Sequence, residues 1–89
     1  MKFYSQYKQD EWLYNNHFKN KKNGTFLEIG ADDGIDKSNT KFFEDLGWVG
    51  MCIEASPKRF KLLKNNRNCI CGRSCFNNPP NYLFPNHRR

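Results

Sequence analysis

The chain has 89 residues, a formal charge of +6 from 15 Lys and Arg against 9 Asp and Glu, 37% apolar residues and 16% aromatic ones. That length supports one small domain with a modest core and excludes a larger architecture. No apolar run approaches the roughly 18 residues that cross a bilayer, and MKFYSQYKQDEW lacks the apolar stretch of a secretion signal, so a cytoplasmic chain away from membranes is expected.

Residues 5–19, SQYKQDEWLYNNHFK, place Tyr7, Tyr14 and Phe18 along one line of a helix, with Ser5 as its N-cap. Asn23-Gly24 then marks a turn. Thr25 to Ile29 reads as a buried parallel strand whose one charge is Glu28, and Gly30 opens a loop. Ser38 caps a second helix with Phe42, Phe43 and Leu46 facing inward and Gly47 closing it. Trp48 to Ile53 is a second strand ending at Glu54. Ser56-Pro57 starts a third helix, running to about Asn66, that buries Phe60 and Leu63 and turns Lys58, Arg59, Lys61 and Lys64 outward. Asn68 to Ile70 begins a third strand, and residues 77–89, with three prolines and no period, read as an irregular basic tail.

This order predicts an α/β fold, half of a doubly wound sheet, with two to three parallel strands and flanking helices. It divides into an N-terminal helical segment (1–24), a sheet domain (25–76) and the tail (77–89). A halved sheet leaves one edge and one face poorly covered, which predicts self-association.

Ligands bind such sheets where the first strand turns into the next helix, and Gly30 and Gly34 sit at that turn. Asp32, Asp33 and Asp36 stand beside Glu28 with no basic residue in the loop before Lys37, so a pyrophosphate would meet like charge. Gly-Lys-Ser/Thr, which a P-loop needs, is absent. The loop therefore favours a cationic or polyhydroxylated ligand, and S-adenosylmethionine fits, with a sulfonium, an ammonium and a ribose diol. Glu54, at the end of the second strand, is placed to accept the ribose hydroxyls, the other readings being a cap on the next helix or a charge that solvates the strand end. Glu28, inside an apolar strand, needs a partner: a loop amide, a bound ammonium, or water at an edge.

Cys52, Cys69, Cys71 and Cys75 are expected as thiols. The Cys69-x-Cys71-x-x-x-Cys75 spacing with His87 beyond departs from common zinc knuckles, so buried strand thiols are favoured and no metal is assigned. The basic clusters at 19–22, 58–67 and 88–89 are solvated helix faces or, alternatively, a nucleic-acid surface with Phe60, Tyr82 and Phe84 as stacking groups.

Two stretches, SQYKQDEWL (5–13) and NGTFLEIGADDGIDKSNTKFFEDLGWVGMCIEASPKRFKLLKNNRNCIC (23–71), together resemble the FkbM-type S-adenosylmethionine-dependent methyltransferases. The resemblance rests on EIGAxDG, SNT, LGWxG and CIE followed by a proline. It implies a Rossmann-like methyltransferase fold in which Glu28, Gly30, Ala31, Asp33 and Gly34 form the methionine-side loop and Glu54 takes the ribose. Ser38 and Asn39 would lie beside the cofactor, and Gln6, Gln9 and Asp10 would fold near the same pocket. It also implies methyl transfer to a hydroxyl of a small molecule or sugar. Asp32 stands where the family usually has Asn, Lys8 where it often has Gly, and the pattern fades after Cys71. A whole sheet of this kind has about six or seven strands, so a truncated chain lacking full activity is expected. No general base is assigned, and His17 reads as a surface or core-edge residue of the first helix.

Overall fold

The computed structural model describes residues 1–73 and 84–87. Helix α1 (Gln9–Leu13) continues as a π-helical turn, Tyr14–Phe18; strand β1 (Thr25–Ile29), helix α2 (Lys41–Asp45), strand β2 (Val49–Ile53), helix α3 (Pro57–Asn66) and strands β3 (Ile70–Arg73) and β4 (Phe84–His87) follow. The strands form one sheet in the order β1-β2-β3-β4. β1 and β2 pair in parallel from Thr25 with Val49 to Ile29 with Ile53, and β2 and β3 pair in parallel from Met51 with Ile70 to Ile53 with Gly72.

The expected strands and helices from Thr25 to Asn66 stand within a few residues of their anticipated limits, because each is bounded by strong local signals. Ser56 accepts a hydrogen bond from the Arg59 amide and Pro57 occupies the first turn of α3. For α2 the cap is shared: Ser38 Oγ accepts from the amides of Thr40 and Lys41, while the residue immediately before the helix is Thr40.

Two expectations are corrected. The N-terminal helix begins at Gln9, not just after Ser5, because Asp10 organises the turn before it: the Asp10 carboxylate accepts from the amides of Tyr4, Ser5 and Glu11, and Lys8 adopts a left-handed φ of 63°. Tyr7 therefore precedes the helix and is 75% exposed, while Tyr14 and Phe18 do pack inward. The tail is not wholly irregular either. Phe84–His87 runs antiparallel to β3, with Pro85 opposite Gly72. Because β4 is the outer strand, Pro85 can lack an N–H without breaking an interior ladder.

Strand alternation sends Phe26, Glu28, Cys52 and Cys71 to one face of the sheet and Leu27, Ile29, Val49, Met51 and Ile70 to the other. On the first face Phe26 packs against Ala31, Cys52, Phe60, Leu63, Cys69 and Cys71. It also joins an aromatic cluster of Phe42, Phe43 and Trp48 with Phe3, Tyr14 and Phe18. Phe18 meets Phe43 and Trp48 edge-on at 6.0 and 5.2 Å between ring centroids. On the second face Leu27, Ile29 and Val49 are 59%, 73% and 61% exposed. Among the described residues the second face is thus open at Leu27, Ile29 and Val49 and half-covered at Met51 and Ile70, and no described helix is long and apolar enough to cross a membrane.

Candidate functional site

β1 delivers Gly30 to the carboxyl end of the sheet, where the chain turns back through residues 30–36. Gly30 (φ +72°) and Gly34 (φ +84°) both adopt left-handed backbone. At Gly34 a side chain would also meet Arg67 and Leu63 at 2.7 Å, so the loop lies directly on α3. Ala31 is buried in the core and anchors the turn from inside. The amides of Gly30 and Ala31 both donate to the Ile53 carbonyl, at 2.8 and 2.9 Å, which ties the loop to the end of β2.

The acids divide into three kinds by what they hold. Glu54 Oε1 accepts from the Asp32 amide at 2.7 Å and Oε2 from the Ser56 amide at 3.0 Å, so this carboxylate clamps the loop to the entry of α3. Asp33 Oδ1 accepts from the amides of Ile35 and Asp36, both at 2.9 Å, and builds the turn itself. Asp32 and Asp36 are exposed. Asp32 is paired with Arg59 at 3.2 Å, both side chains about half exposed. Arg59 was expected to point only to solvent; α3 instead brings one cation onto the acidic loop, a surface pair of small energetic weight.

Glu28 lies on the helix-covered face, not at a watery edge. Its Oε1 accepts from the hydroxyls of Ser38 (2.9 Å) and Thr40 and stands 4.0 Å from Arg67 Nη1. The partner that its burial demands is therefore internal, and neither a loop amide nor a bound ammonium is needed. Ser38 is buried with it, whereas Asn39 is exposed and its Oδ1 accepts from the Ser5 hydroxyl at 2.7 Å. Ser5 Oγ also donates to the Ser38 carbonyl at 3.2 Å, which brings the N-terminal segment to the loop. Of that segment's motif, Asp10 is buried and Gln6 and Gln9 are exposed.

Arg67 is the residue that sequence reasoning missed. Its guanidinium is fully buried and donates to Glu44 Oε1 (2.7 Å), the Gly34 carbonyl (2.9 Å), Thr40 Oγ1 (3.0 Å) and Ser38 Oγ (3.3 Å). It also lies 5.4 Å from the centre of the Phe26 ring. One side chain thereby fixes both ends of the segment from Gly34 to Thr40. The signal available was Glu28 itself, a carboxylate in an apolar strand that calls for a cation.

His17 is exposed beside Trp12, 5.1 Å between rings, and is remote from any assigned chemistry. Cys52, Cys69 and Cys71 are free and buried; Cys52 and Cys71 are strand thiols, whereas Cys69 stands in the bend just before β3, which begins at Ile70 and not at Asn68. Cys75 and the side chain of His87 lie outside the described residues, as do Tyr82 and the Phe84 side chain. Among the described residues no cluster of three or more His, Cys, Asp or Glu is arranged around a metal position. Phe60, offered above as a base-stacking group, faces the core and is closed to that use.

The arrangement presents an acidic, backbone-rich rim at the carboxyl end of a parallel sheet, braced from beneath by a buried arginine. Comparison with family models, with curated proteins and with solved structures gives no match.

Proposed function

We propose that the chain binds S-adenosylmethionine at residues 30–36 and Glu54, as the N-terminal part of a Rossmann-like methyltransferase of the FkbM type that modifies a hydroxyl of a small molecule or sugar. The observation that carries this reading is the position of Glu54: an acid at the end of β2, held against the Asp32 amide at the end of β1. A carboxylate has about four acceptor positions, and the two amides engage one on each oxygen, which leaves capacity for both hydroxyls of a ribose.

Asp32 and Asp36 supply exposed negative charge for a sulfonium and an ammonium, and Gly30 lets the backbone approach a ligand closely. Glu28 and Ser38 support the loop from beneath, and their contacts with Thr40 and Arg67 assign them to shape instead of direct contact. The bound cofactor would supply an electrophilic methyl group. This chain's own residues bind and orient it.

Isothermal titration of the full chain with S-adenosylmethionine and with its demethylated product tests the proposal. Saturable heat with both ligands is expected, weakened about tenfold or more in Glu54→Gln, a loss of roughly 1.4 kcal/mol. Absence of heat from a chain shown to be folded by circular dichroism would overturn it.

A further inference from the structure

At the opposite end of the sheet from the loop, a cavity of about 530 Å³ is lined by Thr25, Trp48, Val49, Gly50 and Ile70, and Cys69 stands in its wall. Cys69 keeps 7% of its surface exposed; Cys52, behind it, keeps none. The two sulfurs lie 3.6 Å apart, in van der Waals contact, with Cys71 Sγ 3.5 Å from the Cys69 carbonyl. The thiols differ in character. Contact with Cys69, then burial, pushes both Cys52 and Cys71 upward in pKa, whereas contacts with Cys52 and Cys71 hold Cys69 down against burial, with help from the Arg67 charge. Cys69 thus lines the cavity with a second thiol in contact behind it, the two-sulfur geometry that a two-cysteine oxidation requires.

We propose that Cys69 and Cys52 form a peroxide-reactive pair that closes to a disulfide joining β2 to the entry of β3. The Cys69 thiolate attacks hydrogen peroxide, a sulfur–oxygen bond forms as the oxygen–oxygen bond breaks, and the departing hydroxide takes up a proton to leave as water. The Cys52 sulfur then displaces the hydroxyl of the Cys69 sulfenic acid; the sulfur–sulfur bond forms, and that hydroxyl leaves with the Cys52 proton as a second water. Two thiols lose two electrons and two protons, and one peroxide becomes two waters. The sulfurs must close from 3.6 Å to about 2.05 Å. Both belong to the packed core, so the bond would also tie the two ends of α3 together and restrict the unfolded chain.

The test is treatment of the full chain with hydrogen peroxide, followed by alkylation and peptide mapping without reductant. A Cys52–Cys69 linked peptide is expected, with a raised thermal midpoint that dithiothreitol reverses. Cys52→Ser should leave Cys69 as a sulfenic acid that dimedone captures, and Cys69→Ser should leave Cys52 unoxidised. Thiols that survive peroxide in the folded wild-type chain, or a link through Cys71 or Cys75 instead, would overturn the proposal; the wild-type map decides this even if a variant fails to fold.

Discussion

The two faces of the sheet are built from the same three parallel strands and meet opposite fates. Phe26, Cys52 and Cys71 are covered by α3 and the aromatic cluster, while Leu27, Ile29 and Val49, one residue away along the same strands, stand open. The open face, with Leu27, Ile29, Val49, Met51 and Ile70, is if anything the more apolar, since the covered one carries Glu28 and Gly50. What distinguishes them is where the crossovers fall, because the described helix α3 and the cluster containing α2 pack on the Phe26 side. Apolar character in a strand therefore states what a residue can bury and leaves open whether anything arrives to cover it.

This contrast can be broken by substitution. Arg67→Ala should be the most damaging change, about 3–5 kcal/mol, because it empties a fully buried site and leaves the half-buried Glu44 and Glu28 without their cation; a denaturant titration measures it. Leu63→Ala, in the fully buried centre of the covered face, should cost about 2–5 kcal/mol by the same assay. Gly34→Ala should cost about 1–3 kcal/mol, since a methyl group meets Arg67 and Leu63 on a backbone of positive φ. Alkaline pH gives a smaller graded effect. Cys52 and Cys71 are raised above the ordinary value of 9.0, so above about pH 9 they ionise in the unfolded chain while the folded chain retains their protons. Stability should then fall by at most roughly 1.4 kcal/mol per pH unit for each thiol, and Cys71→Ala should flatten the slope. Leu27→Ser on the open face should shift stability by less than about 0.5 kcal/mol. A loss comparable to that of Leu63→Ala would show that the open face is covered in solution.

Much of the fold was legible because its signals are local. Gly30 after Thr25–Ile29, Ser56-Pro57 before α3 and Gly47 after α2 each announce a boundary within a few residues. The site was legible in part. Gly30, Gly34 and Glu54 do converge at one sheet end, as their spacing anticipates, and Asp33 sits with them in the turn. Arg67 was illegible for a different reason. A basic residue closing a lysine-rich helix reads as solvated, and its burial depends on Glu44, Ser38 and Thr40, each more than twenty positions away. Tyr7 failed similarly, because the Asp10 contacts that delay α1 compete with helix continuation through side chains that a periodicity count ignores.

The role of Arg67 limits how far the loop can travel. A synthetic peptide carrying residues 26–40 would contain the loop's glycines and aspartates yet lack both Glu54 and the guanidinium that holds Gly34, Ser38 and Thr40 in place. Transplanting GADDG alone into another α/β scaffold would move its letters without its shape. The transferable unit includes an arginine at the far end of the second crossover helix and a glutamate on the first to receive it, so the loop and both helices form one cassette.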